Sequence, residues 1–319
     1  MQEILSVQYA GAGDTQNTPP EQTSAFNILD LYTPDPLVLT CDTPFLIFIH
    51  GGAWRAGKPS DYRNLAHQFV GRGFGVAAVG YRLSTKTSSQ ETAPISHPAH
   101  VIDVAAGVAW LIAHCIEPGK VVDSKGAGKV MRLWNPKNWF IAGHSAGAQL
   151  GSLLSLNSNY IQKSLANLLQ NSAEPSLSTW RDRFRGYIGV EGIYDIPLLV
   201  ATYPSYRDWF ISNAFGKEGD ARWIDGSPVL TQLVDTDFSA SHLVIFSKND
   251  GLVDIAQSQR WVDRLKKIAK NDVAKINGTS DTKWTVDEEF DSILSNHDDV
   301  LADPLFFEIV KNWIKRKAI

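Results

Sequence analysis

The 319-residue chain holds only two cysteines, Cys41 and Cys115, with no CxxC spacing. This rules out a disulfide framework and a zinc site built on thiolates, and it fits a reducing, cytoplasmic setting. Long apolar runs are missing too. The longest apolar region, Val101 to Ala113, is broken by Asp103 and falls short of the roughly 20 residues that span a bilayer, so it reads as a buried helix. Met1 to Asp14 lacks a basic flank followed by an apolar core, so no export signal is expected. Positive charge is not in excess: 30 Lys and Arg stand against 34 Asp and Glu, a formal net charge of -4. Nucleic acid and anionic membrane surfaces both need clustered basic residues, so neither is an expected partner. Histidines at metal-ligand spacing such as HExxH are absent, and no metal or other cofactor is expected. Nothing in the sequence excludes a homodimer.

What the chain does have is alternation. Phe45 to His50, Phe74 to Tyr81, Trp139 to Gly143, Tyr187 to Val190 and His242 to Phe246 are short apolar runs that read as strands buried on both faces. Helical spacing occupies Asp61 to Arg72, His97 to Cys115, Ala146 to Leu156, Ala256 to Lys270 and Pro304 to Lys315, and Lys283 to Glu289 reads as a last strand. Repeated strand–helix units predict one α/β domain over residues 1–319, with a mostly parallel central sheet and helices on both faces. Ser6–Tyr9 and Ala25–Leu31 could add an antiparallel edge. Two stretches break the scheme. Residues 117–138, rich in Gly, Lys and Pro, read as a surface insertion. Residues 191–240 are irregular and aromatic, and read as an inserted cap over a pocket.

The chemistry concentrates at turns that follow strands. Gly143-His144-Ser145-Ala146-Gly147 is a GxSxG motif between an apolar strand and a helix. A sharp strand-to-helix turn lifts the serine hydroxyl above a sheet, and the two glycines permit the close backbone approach this needs. Ser145 is therefore the candidate nucleophile, with His144 as a structural neighbour. His50-Gly51-Gly52-Ala53-Trp54 follows the first central strand, where backbone N–H groups of Gly51, Gly52 and Ala53, with Ala146 opposite, could hold an oxyanion. In this arrangement an acid and then a histidine follow the serine along the chain. Asp250 ends the His242–Phe246 strand segment in a polar loop, and its rival Asp254 reads as a helix cap. His297, in the polar loop Ser295 to Asp299, is the only histidine after Asp250 and the candidate base. The pattern is that of the α/β-hydrolase fold.

With these residues in place, the chain resembles the kynurenine formamidases (arylformamidases), the fungal ones in particular. The resemblance runs from about residue 43 onward. It rests on His50 to Trp54 with the following Arg55 to Asp61, on Tyr81 to Ser84, on the GxSxG segment, on Glu191-Gly192-Ile193-Tyr194-Asp195, on Tyr203 to Tyr206, and on Asn296 to Asp298. It implies hydrolysis of N-formyl-L-kynurenine to formate and L-kynurenine, a step of tryptophan catabolism toward NAD biosynthesis, and it carries the triad onto Ser145, Asp250 and His297. The insertion at 117–138 departs from the compact family pattern. A formyl group needs almost no acyl pocket, whereas the aryl side needs a flat apolar wall. Trp54 and Tyr194 are the candidates for that substrate-binding wall. The competing readings are a carboxylesterase of the hormone-sensitive-lipase type and, from another class, a non-catalytic ligand receptor on the same fold.

Overall fold

The computed structural model describes residues 1–9, 26–35, 38–85, 95–116, 121–122, 128–129, 136–168, 180–234, 240–275 and 284–318. The apolar runs become strands: β1 (Gln2–Gln8), β2 (Ile28–Thr33), β3 (Phe45–Ile49), β4 (Gly75–Val79), the two-residue pieces β5 (Val121–Val122) and β6 (Gly128–Lys129), β7 (Trp139–His144), β8 (Phe184–Val190), β9 (Ser241–Ile245) and β10 (Val286–Glu289). Eight of them form one sheet in the order β1-β2-β4-β3-β7-β8-β9-β10. The run from β4 to β10 is parallel, and β1 and β2 add the antiparallel edge. Every residue of β3, β4, β7 and β9 is buried, because helices cover both faces. This is the α/β-hydrolase architecture.

The helices are α1 (Arg63–Val70), α2 (Ala99–Ile116), α3 (Ala146–Leu156), α4 (Asn159–Leu168), α5 (Ile196–Thr202), α6 (Ser212–Phe215), α7 (Arg222–Asp225), α8 (Ile255–Lys275) and α9 (Pro304–Lys317). The sequence periodicity predicts neither α4 nor the helices within residues 191–240. Between α5 and α6 lies a π-helical turn, Arg207–Ile211. Helices of four to seven residues are too short to display the 3.6-residue period in sequence, which is why that stretch looked irregular. Of the segment at 117–138, only β5, β6 and residues 136–138 lie within the described residues.

Strand register sets the site. β3 and β7 pair in phase, Phe45 with Trp139 through Ile49 with Gly143, and β8 and β9 end level with them, Val190 beside His144 and Ile245 beside Val190. The turn after β3 and the turn after β7 therefore leave the sheet side by side. This is also where strand order reverses, since β4 lies on one side of β3 and β7 on the other. Such a switch point opens a crevice at the strands' C-terminal ends.

A buried ion pair anchors the neighbouring loop. Asp103 of α2 takes the Arg82 guanidinium on both oxygens, at 2.7 Å each, and the Arg82 backbone N–H at 2.9 Å. Two residues on, Ser84 donates its N–H to the Trp54 carbonyl at 2.7 Å, tying this loop to the turn after β3. Asp103→Asn would leave the Arg82 charge buried without its carboxylate, a change that typically costs about 3–5 kcal/mol. Urea unfolding should show a loss of that order; a loss below about 1 kcal/mol would mean the pair adds little.

Candidate active site

Ser145 sits between β7 and α3 at φ 54° and ψ -119°, outside the regions favoured by side chains. Contacts on both sides enforce the turn. A Cβ on Gly147 would lie 2.1 Å from the Ile49 carbonyl oxygen, and one on Gly143 would lie 2.3 Å from the Gly147 carbonyl oxygen. Only glycine lets β3, β7 and α3 approach this closely. Ser145 also donates its backbone N–H to the Val190 carbonyl at 2.9 Å, locking the turn to β8. Ala146 opens α3, whose first N–H groups have no partner within the helix.

Beside it, Gly52, Ala53 and Trp54 all have positive φ, at 97°, 52° and 56°. Backbone in this region costs about 1–3 kcal/mol per non-glycine residue and persists only where its surroundings enforce it. Here they do. The His50 ring is stacked on Tyr81 at 4.3 Å and contacts the Gly51 carbonyl through Nδ1 at 2.8 Å, while the Tyr81 hydroxyl donates to the His50 and Gly51 carbonyls. Burial pushes the His50 pKa down to about 4, so the ring is neutral and serves as a strut.

The His297 imidazole reaches the same cavity. Its Nδ1 lies 2.8 Å from Asp250 Oδ2, and the other Asp250 oxygen accepts the N–H groups of Leu252 and Val253 at 2.8 and 2.9 Å. Asp254, by contrast, immediately precedes α8, and its backbone carbonyl accepts from Gln257. The His297 loop is tied down by His144, whose Nε2 donates to the His297 carbonyl at 2.9 Å, and by Asn249 and Ser247, which donate to the Leu294 and Ser295 carbonyls. With Nδ1 directed at a carboxylate, Nε2 is the ring nitrogen left for another partner. Ser145 and His297 both line one cavity. Among the described residues the serine hydroxyl makes no hydrogen bond; contacts of this kind often tighten only when substrate binds.

That cavity measures about 490 Å³ and is walled by Ile193, Tyr206, Trp209, Phe210, Leu252 and Val253, with Gly52, Ala53, Arg55 and Asp298 at its polar side. Of the four expected oxyanion residues, Gly52 and Ala53 line it and Gly51 lies buried beneath. The expected wall of Trp54 and Tyr194 is corrected. Both side chains are 0% exposed and neither lines the cavity. Trp54 donates its indole N–H to Gln149 at 3.1 Å and meets Phe215 edge-on, and Tyr194 stacks on Trp261. Trp54 points down because Gln149, buried on the apolar α3, needs a donor; its own amide donates to the Gly226 carbonyl at 2.7 Å. The wall comes instead from the π-helical turn, a local distortion that recurs at functional sites.

Sequence reasoning also passed over Glu191, whose signal was a lone charge directly after an apolar strand. It is 0% exposed, with Oε2 at 3.3 Å from His297 Nδ1 and 3.6 Å from His144 Nε2. Burial and then the Asp250 charge push its pKa up to about 10, so it is a neutral acid at pH 7. The ligand atoms of Glu191, Asp250 and His297 lie close enough to share a cation, as do those of His144, His297 and Asp298, and both sets include His297.

A family model described as BD-FAE matches residues 29–125. Kynurenine formamidase of Meyerozyma guilliermondii is 28% identical over 227 residues, 69% of this chain and 71% of that protein. Probable carboxylic ester hydrolase LipM of Mycobacterium tuberculosis is 27% identical over 255 residues, 77% of this chain and 50% of that protein. Among solved structures, esterase B of Lactobacillus rhamnosis superposes with a TM-score of 0.62 at 17% identity, covering 99% of this chain and 84% of that one.

Five buried histidines set an acid limit on stability. Burial holds His50 and His97 near pKa 4, and His100, His144 and His242 near 3, so all are neutral in the fold and protonate on unfolding below about 6.5. The unfolded chain thus binds more protons, and stability falls as pH drops from about 6.5 toward 4. Glu191 opposes this by one proton above its unfolded pKa, too little to reverse the sign. Unfolding free energies should decline steadily over that window; a flat profile would show that some of these rings are already charged in the fold. The chain has the α/β-hydrolase fold, and its sequence is similar both to kynurenine formamidases and to carboxylic ester hydrolases.

Proposed function

We propose that the protein is a serine hydrolase that cleaves the formamide of N-formyl-L-kynurenine. The observation that carries the hydrolase reading is the His297–Asp250 contact opening onto the cavity that Ser145 lines. His297 Nε2 takes the Ser145 proton as the hydroxyl attacks the formyl carbon. The backbone N–H groups of Gly52, Ala53 and Ala146 hold the oxyanion, and Asp250 stabilises the imidazolium. His297 then returns the proton to the departing arylamine nitrogen, and water cleaves the formyl-serine to release formate. The similarity to the Meyerozyma enzyme supports the formamide substrate.

The cavity supports the same choice. Tyr206, Trp209 and Phe210 form an aromatic wall, with Tyr206 and Phe210 centroids 5.0 Å apart, suited to a flat aryl ketone. Arg55 lies 5.7 Å over the Trp209 ring and, among the described residues, forms no ion pair, while Asp298 brings an exposed carboxylate to the same cavity. An amino-acid head group carries one charge for each.

Ser145→Ala should lower turnover by about 10⁶-fold without changing the melting temperature. Arg55→Ala should raise the KM for N-formyl-L-kynurenine about tenfold, equivalent to one charge-assisted contact, and leave a neutral p-nitrophenyl ester unaffected. Assays of both substrates on the purified protein decide the substrate. Efficient ester cleavage with negligible formamide turnover would make it a carboxylesterase of the kind suggested by LipM.

A further inference from the structure

We propose that Glu191 is a second positioning carboxyl for the imidazole of His297, silent while Asp250 carries the charge and able to take over when Asp250 is neutralised. The inference rests on the serine hydrolase reading of the site, not on the formamide substrate.

The geometry is unusual in three respects. His297 Nδ1 has two carboxyl groups within reach, Asp250 at 2.8 Å and Glu191 at 3.3 Å, both with fully buried side chains. Beyond a loose approach of the Ser247 backbone N–H, neither Glu191 oxygen has a well-formed hydrogen bond among the described residues, although buried polar groups almost always find one. And Glu191 is held at φ 49°, a conformation that glycine would adopt without strain, fixed by its N–H bond to the Ile245 carbonyl at 2.9 Å. A buried, unsatisfied, strained glutamate next to the general base is costly to keep for packing alone.

Groups from every neighbouring element bear on it. His144 comes from the end of β7, and His297 and Asp298 from the loop before α9. The loop after β9 supplies Asp250 and the backbone of Ser247. Three influences keep Glu191 protonated: its burial, then the adjacent Asp250 charge, and more weakly the Asp298 charge. Asp250→Asn removes the second while an asparagine oxygen can still accept from Leu252 and Val253. Glu191 can then lose its proton to solvent, leaving a carboxylate 3.3 Å from Nδ1. The imidazolium formed during attack would again face a negative charge, and the Nδ1–H tautomer would be kept.

The test uses the wild type, Glu191→Gln, Asp250→Asn and the double variant. The readout is the rate at which a fluorophosphonate labels Ser145 across pH 6–10, a measure of serine activation that needs no substrate assignment. Losing a triad aspartate with no substitute costs about 10⁴-fold. Asp250→Asn should instead lose only about 10²-fold at pH 8 and recover as pH rises, following the ionisation of Glu191. The double variant should fall the full ~10⁴-fold with no such recovery. Glu191→Gln, nearly without effect in the wild type, should therefore cost about 10²-fold in the Asp250→Asn background at pH 8. Equal costs in both backgrounds, or a recovery that survives in the double variant, would overturn the proposal. If the wild type itself is not labelled, the serine reading fails instead. Should Asp250→Asn not fold, difference infrared spectroscopy between wild type and Glu191→Gln remains decisive: a protonated-carboxyl band must disappear, and its absence would refute the assignment.

Discussion

The site depends on four parallel strands ending at the same level. Because β3, β7, β8 and β9 are in register at their C-terminal ends, the residues that follow them emerge as one row: the His50–Trp54 turn, Ser145, Glu191 and the loop to Asp250. A slip of one residue in any of these pairs would send alternate side chains to the opposite face and dismantle the row. Burial on both faces makes such a slip expensive, since every position of β3, β7 and β9 is packed. Core packing thereby fixes site geometry, at a place where the sheet's own hydrogen bonding has run out.

Strain collects along that row. Ala53, Trp54, Ser145 and Glu191 all have positive φ, and apart from these only Ser6 does so among the non-glycine residues described. Each is held by contacts to a neighbouring strand end or loop: Ser145 by Val190, Glu191 by Ile245, and the turn at Trp54 by Ser84 and Gln149. Strained backbone of this kind survives where surrounding structure over-determines it, and it aims groups that regular strands cannot. The Asp103–Arg82 pair belongs to the same scaffold, since it steadies the loop whose Ser84 grips the Trp54 carbonyl.

Legibility in the sequence followed from how local each signal is. The strands and long helices could be read because continuous apolar runs and 3.6-residue periods are properties of neighbouring residues. The helix Ala146–Leu156 was read to its ends. The turns carrying Ser145 and Gly52 could be read because their glycines are demanded by close approach within a few residues, as Gly147 against Ile49 illustrates. Side-chain direction could not. Trp54 and Tyr194 look like pocket aromatics in sequence, and only the distant partners Gln149 and Trp261 reveal that they point into the core. Glu191 was invisible as an acid for the same reason: its meaning lies in His144, Asp250 and His297, three separate elements. The short helices between 196 and 225 escaped because their burial is dictated by what they cover.

This division separates reaction from selectivity. The groups near Ser145 are set by the sheet, a fold the chain shares with esterase B at 17% identity, so this architecture tolerates wide sequence change. The aromatic wall is set otherwise. It hangs from Asp195, which caps α5 through the Leu198 N–H and pairs with Arg260, and from Gln257, whose side-chain oxygen accepts the N–H groups of Tyr194 and Asp195. Tyr206 adds a bond from its hydroxyl to the Leu252 carbonyl, joining the wall to the loop that carries Asp250. The wall is thus clamped at both ends while Trp209 between them stays 53% exposed. Sequence can vary at such a position without disturbing the sheet. Under the proposed hydrolase reading, substrate choice belongs to the segment around the π-helical turn and the reaction to the buried strand ends.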